Sequence, residues 1–171
     1  MARIPYSNMT GLEPDLKEEL SKRPDANIYR MLANGGNAAL GYLKMGSEIR
    51  FNAVLSPTSR ELIILRTGSL CKSIYELDHH TIIARNIGLE ETKINAVIHT
   101  GSKSEVLDDF EKCLMIFTEE TVKDGKASEK SFFNLAEYYS HEELIETTLL
   151  IGFYMLTSRF LQTFNVDLDE H

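Results

Sequence analysis

The amino-acid sequence predicts an all-α fold on two observations. Apolar residues recur at spacings of three and four along most of the chain, as on the buried face of a helix, whereas alternating strand patterns are almost absent. Residues typical of helix ends bound these segments, with Ser56-Pro57 suited to a start and Gly88 to a stop. With 171 residues and 43% hydrophobic content, the chain is long enough for one domain with a substantial core.

The predicted elements follow the chain in order. Residues 1–24 are interrupted by prolines and a glycine and are expected to form an N-terminal arm with one short helix at residues 16–20. Residues 25–171 are expected to form a single helical domain, and Ser73 is expected to cap one of its helices. The predicted helices of this domain cover residues 27–45 (interrupted at Gly35-Gly36), 57–70, 74–87, 90–99, 105–123, 128–139 and 141–163.

The composition argues against several classes of partner. A net charge of −8 without a basic cluster disfavours nucleic acid and anionic membrane surfaces. The longest apolar run, Leu149 to Leu156, is far shorter than the roughly 20 residues of a membrane span. The first residues do not resemble a secretory signal, so a cytoplasmic protein is expected. Cys71 and Cys113 are distant in sequence and neither has a second thiol nearby, so no disulfide framework and no metal site are expected.

Residues 59–88 contain the most informative pattern. Two apolar helices flank a break near Lys72, with Glu61 about 16 Å before it and His80 about 12 Å after it at about 1.5 Å per residue. If the helices fold back on each other, these two side chains reach nearly the same level. Glu76 lies four residues before His80, on the same helical face. Two carboxylates around one imidazole are suited to proton transfer, although a buried polar bridge with a purely structural role is the alternative.

The same region carries a family resemblance. The residues concerned are Arg60-Glu61-Leu62, the segment Ser73-Ile-Tyr-Glu-Leu-Asp-His-His80, Ala84 and Gly88. They resemble the core of the carboxymuconolactone decarboxylase family, which includes the AhpD-like alkyl hydroperoxidases. The resemblance implies an AhpD-like multi-helix bundle with a central helical hairpin, and self-association as a trimer or hexamer. The many aromatic residues at 128–164 also favour self-association, because a small bundle cannot easily bury them all.

The chain departs from the hydroperoxidase branch at the two cysteines of its motif. Ser73 and Glu76 occupy the positions where that branch has its redox thiols. A serine and a carboxylate cannot form a disulfide, so dithiol chemistry is not expected. The pattern Glu76-Leu-x-x-His80 instead resembles the decarboxylase branch, which acts on an unsaturated lactone bearing a carboxylate. That branch uses neither metal nor cofactor, and none is expected here.

The resemblance also implies roles for individual residues. His80 is the expected proton donor, and Glu61 and Glu76 are expected to orient its ring. An anionic group of a small-molecule substrate would be held by Arg60 or Arg66. The candidate substrate-binding residues are Arg60, Arg66, Ser73 and Tyr75.

Two other functions are compatible with the sequence. One is an AhpD-like peroxidase or antioxidant protein, whose activity would have to depend on Cys71. The other is a catalytically inactive binding or assembly protein that has kept the scaffold. Thiol titration with peroxide separates the first from an acid/base enzyme, and a screen for turnover and ligand-induced stabilisation separates the second.

Overall fold

The computed structural model describes residues 1–169, and the predicted all-α class is confirmed: this part of the chain contains nine α-helices and no strand. Its residues form two compact units. The first comprises residues 1–53 and the C-terminal segment from Phe160, and the second comprises residues 54–159. The predicted division into an arm and one domain stays a prediction.

The first unit contains three helices from the N-terminal part of the chain. They are α1 (Pro14–Ser21), α2 (Asn27–Leu32) and α3 (Gly36–Ser47). A 3-10 turn at Ala33–Gly35 separates α2 from α3, at the predicted Gly35-Gly36 interruption, and a π-helical turn at Glu48–Asn52 follows α3. Arg23 joins α1 to α3, because its guanidinium donates hydrogen bonds to the Glu19 carboxylate, the Leu43 carbonyl and the Ser47 hydroxyl.

The second unit is built around one buried helix. Its helices are α4 (Pro57–Leu70), α5 (Ile74–Asn86), α6 (Glu91–His99), α7 (Asp109–Asp124), α8 (Glu129–Ala136) and the greater part of α9 (His141–Phe164). Helix α4 packs against α5, α6 and α7. Residues 62–65 of α4 are at most 1% exposed, as expected for a helix that is covered on every side.

The helix ends explain where sequence-based boundaries succeed or fail. Ser56 caps α4 as predicted, because its Oγ accepts a hydrogen bond of 3.1 Å from the Ser59 amide. Helix α7 begins at Asp109 and not at the predicted residue 105. The reason is a capping box, in which the Glu111 amide donates to Asp108 and the Asp108 amide donates to the Glu111 carboxylate.

Helix α9 is long and apolar enough, by length and composition alone, to cross a membrane. Half of its most apolar window is buried inside the protein. That is the usual situation of the core helix of a soluble protein, so the helix is only weak evidence for a membrane span.

Candidate functional site

The site is created by the hairpin of α4 and α5. The chain reverses at Cys71–Ser73, where Lys72 adopts a positive φ of 57° and the Ser73 amide donates a 2.9 Å hydrogen bond to the Gly68 carbonyl. Gly68 also allows the two helices to approach closely. A Cβ at this position would lie 3.3 Å from the Cβ of Glu76, a tight contact for two carbon atoms.

The structure brings Glu61, Glu76 and His80 together inside this hairpin. The Nδ1 atom of His80 lies 2.7 Å from Oε2 of Glu61, which is a short hydrogen bond. Its Nε2 atom lies 3.5 Å from Oε2 of Glu76, which is longer than a normal hydrogen bond. The three residues are only 3–4% exposed. One imidazole therefore has a carboxylate on each ring nitrogen in a site shielded from water.

A fourth side chain, Tyr154 of α9, completes the surroundings of the imidazole. Its ring centroid lies 5.1 Å from that of His80, and the two ring planes make an angle of 86°. Tyr154 is 3% exposed. The sequence did not single out this residue, and the local pattern around position 154 contains no signal that would have linked it to His80. The ring of His79 is also near, with its centroid 5.5 Å from that of His80.

The two arginines predicted to bind substrate are in different situations. Arg66 is 7% exposed and its guanidinium is engaged by the protein: Nε donates to Glu119 at 2.9 Å, and Nη1 donates to the carbonyls of Val97 and Ile98. Arg60 is half-buried, and no hydrogen bond or ion pair joins its guanidinium to the residues 1–169 that the structure describes. Arg60 is therefore the arginine available for an anionic ligand.

Ser73 and Tyr75 both lie at the start of α5. The predicted capping role of Ser73 is wrong: it occupies the N-cap position, but its side chain makes no capping hydrogen bond. The residue is 1% exposed, and its buried Oγ has no hydrogen-bond partner within the described chain. A buried hydroxyl of this kind can serve a ligand oxygen. Tyr75 is also buried, at 7% exposure.

Both cysteines are free thiols in partly buried positions. Burial raises the pKa of the Cys71 thiol, an effect that the nearby Arg159 charge and a hydrogen bond with Ser158 partly offset. Burial, together with the carboxylates of Asp109 and Glu137, raises the pKa of Cys113. The thiolate is the reactive form, so neither residue is set up as an activated thiol.

The described part of the chain has no group of three or more His, Cys, Asp and Glu side chains arranged to hold a metal ion. The buried carboxylates of the hairpin are instead directed at the imidazole. The arrangement can thus hold and transfer a proton.

The fold is that of AhpD-like helical proteins. A peroxidase-related protein from Ralstonia eutropha, described as an alkylhydroperoxidase AhpD core, is 17% identical, with a TM-score of 0.86 over 99% of this chain and 93% of that one. A protein of unknown function from Agrobacterium tumefaciens, suggested to be an antioxidant defence protein AhpD, is 22% identical, with a TM-score of 0.75 over 81% of this chain and 96% of that one. The debrominase Bmp8, in a cysteine-to-alanine variant bound to 2,3,4-tribromopyrrole, is 19% identical, with a TM-score of 0.75 over 98% and 90% of the two chains.

Residues 37–102 match the model of the carboxymuconolactone decarboxylase family. This segment includes the whole hairpin and the three residues Glu61, Glu76 and His80, so the resemblance seen in the sequence is confirmed there. A search of curated proteins gave no significant match.

Proposed function

We propose that the protein catalyses cofactor-free acid/base chemistry, a decarboxylation or related lyase reaction, on a small unsaturated carboxylate or lactone. The observation that carries this proposal is the buried imidazole of His80 between the carboxylates of Glu61 and Glu76. An imidazole is the side chain best suited to exchange protons near neutral pH. The match of residues 37–102 to the carboxymuconolactone decarboxylase family supports the same reaction class.

The two contacts of His80 give its two ring nitrogens different roles. The short hydrogen bond from Nδ1 to Glu61 fixes the ring and leaves Nε2 as the nitrogen that exchanges a proton. The 3.5 Å separation between Nε2 and Glu76 is longer than a normal hydrogen bond, so a small movement of the Glu76 side chain would open Nε2 to a substrate. His80 is then the general acid, and Glu61 is the residue that orients it.

The reaction needs little else from the protein. The bond between the substrate carbon and its carboxylate breaks, CO₂ leaves, and the electron pair enters the conjugated system as a dienolate. His80 then delivers its proton to carbon, and a proton from solvent restores the ring. Arg60, with no carboxylate of its own, would bind an anionic group, and the buried Oγ of Ser73 would donate to the enolate oxygen.

Turnover of carboxymuconolactone, followed by loss of its ultraviolet absorbance, tests this proposal. We expect His80→Gln to lower kcat by about 100-fold or more, the range of general acid catalysis. His99→Gln is the matched control, because the same substitution is made at an exposed residue. Retention of full turnover by His80→Gln, or no turnover by the wild type of this lactone and a panel of related unsaturated acids, would contradict the proposal.

A parallel assay addresses thiol chemistry. We expect Cys71→Ser to leave lactone turnover unchanged, because the Cys71 thiol is not activated. Consumption of an alkyl hydroperoxide by the wild type that disappears in Cys71→Ser would instead support an antioxidant protein. An antioxidant defence role is the one suggested for the Agrobacterium tumefaciens neighbour.

We also propose that the protein self-associates, as a trimer or hexamer. Large apolar side chains of α8 and α9 remain exposed in the single chain, among them Phe133 at 65%, Ile145 at 61% and Leu149 at 46%. Phe132, Ile145 and Leu149 line a groove of about 470 Å³. Light scattering that gives the 19.4 kDa mass of one chain at all concentrations would refute self-association.

A further inference from the structure

We propose that Tyr154 is a positioning residue for His80, and that its ring holds the imidazole plane at the tilt needed between Glu61 and Glu76. The effect of Tyr154 on turnover rests on the function proposed above, but its effect on the orientation of the His80 ring does not. The inference follows from the contacts that Glu61, Glu76 and Tyr154 make with this ring from three different helices.

The two carboxylates restrain the motion of the ring. Both act on the ring nitrogens, whereas the ring is joined to the backbone through Cγ, so the motion left to the imidazole is rotation about its Cβ–Cγ bond. That rotation moves both nitrogens, and the two carboxylates oppose it. The contact to Glu76 is long, however, so Glu61 supplies the single short hydrogen bond.

Tyr154 supplies a further restraint, from α9. Its ring is nearly perpendicular to the imidazole, at 86°, with 5.1 Å between centroids, which is the favoured edge-to-face arrangement of two aromatic rings. Tipping of the imidazole in either direction would lose this arrangement or create a clash. The Tyr154 ring is itself supported by the neighbouring Phe153 ring, 5.6 Å away and at 75° to it.

The burial of Tyr154 adds a second effect. The residue is 3% exposed and lies against the 3%-exposed imidazole, so it keeps water from that side of the ring. Exclusion of water strengthens the interaction of the imidazole with its two carboxylates. Loss of the aromatic ring should therefore alter the orientation of His80 and its contacts with the two carboxylates, and not only the packing of the core.

The test compares Tyr154→Phe and Tyr154→Met by NMR of nitrogen-15-labelled histidine side chains, with His80→Gln for assignment. Phenylalanine keeps the ring, and methionine keeps much of the volume without it. We expect the ring resonances of His80 to be retained in Tyr154→Phe and displaced in Tyr154→Met. Phe117→Met is the control, because Phe117 is equally buried at 3% and lies on α7.

We expect turnover to follow the NMR result, with Tyr154→Met impaired and Tyr154→Phe similar to the wild type. In Tyr154→Met, kcat should fall by about tenfold or more with little change in KM, because a misplaced acid affects the chemical step, and Tyr154→Phe should restore it. If Tyr154→Met displaces the His80 resonances while the wild type turns over no lactone, the positioning role stands and the proposed function fails. If Tyr154→Met leaves the His80 ring resonances as in the wild type, the positioning role fails.

A measurement on the wild type covers the case in which Tyr154→Met does not fold. Ring protons of His80 and Tyr154 should show nuclear Overhauser contacts, since the centroids are 5.1 Å apart. Absence of these contacts in folded wild-type protein would overturn the inference without any variant.

Discussion

Gly101 is a position where one added methyl group should be severely damaging. Its φ of +65° lies in the left-handed region that side chains rarely adopt. A Cβ on this residue would lie 2.1 Å from Oε1 of Glu119 and 2.4 Å from Cζ of Arg66. These two side chains form a largely buried ion pair with 2.8 Å between Nη2 and Oε1, so Gly101→Ala must displace the pair or the backbone.

The size of the effect follows from two contributions. The left-handed conformation costs a non-glycine residue about 1–2 kcal/mol. Breaking a buried ion pair so that one charge lacks its partner costs about 3–5 kcal/mol more. Gly125→Ala isolates the first contribution, because Gly125 has a φ of +80° but nothing within 4 Å of an added Cβ. We therefore expect Gly101→Ala to be less stable than Gly125→Ala by about 3–5 kcal/mol if the pair is broken completely.

Urea denaturation followed by circular dichroism measures this difference. For a protein of this size, about 3–5 kcal/mol corresponds to a melting temperature lower by about 6–20 °C in Gly101→Ala than in Gly125→Ala. Equal stability of the two variants, within about 1 kcal/mol, would refute the reasoning, because it would mean that the ion pair moves aside at almost no cost. A crystal structure of Gly101→Ala would then show where Arg66 goes.

Three further predictions concern other parts of the described chain. Asp108→Ala removes half of the capping box of α7 and should lower the free energy of unfolding by about 1 kcal/mol in chemical denaturation. Burial raises the pKa of Tyr139 to about 12, whereas the phenol of the unfolded chain ionises near 10. The free energy of unfolding should therefore fall as the pH rises from about 10 to about 12. The same pH dependence of the free energy of unfolding in Tyr139→Phe would contradict this. Arg60→Gln should raise KM for an anionic substrate and leave the melting temperature nearly unchanged, since the guanidinium has no partner among the described residues; unchanged KM would exclude a substrate-binding role.

The parts of the site that the sequence could predict are those fixed by local geometry. Glu61 and His80 lie on adjoining helices, so a fixed rise per residue and one tight break are enough to bring them to the same level. The 2.7 Å contact between them agrees with that expectation. Glu76 and His80 are four residues apart on one helix, and their proximity needs no knowledge of tertiary structure.

The parts that could not be predicted depend on contacts between distant segments. Tyr154 reaches His80 from a helix far along the chain, and its position in an aromatic run gives no hint of which ring it meets. The prediction that Ser73 caps α5 was wrong for a related reason. Its sequence position is that of an N-cap, but its side chain is 1% exposed and makes no capping hydrogen bond.

The two arginines show how tertiary contacts decide between residues that a sequence treats alike. Arg60 and Arg66 lie on the same helix, and either could hold an anion by its chemistry. Gly101 allows the chain to pass close to Arg66, where Glu119 and the carbonyls that end α6 use its donors. An arginine engaged in this way holds α4, α6 and α7 together and has little capacity left for a ligand. Arg60 has no such partner within the described chain, so its donors are available to a ligand.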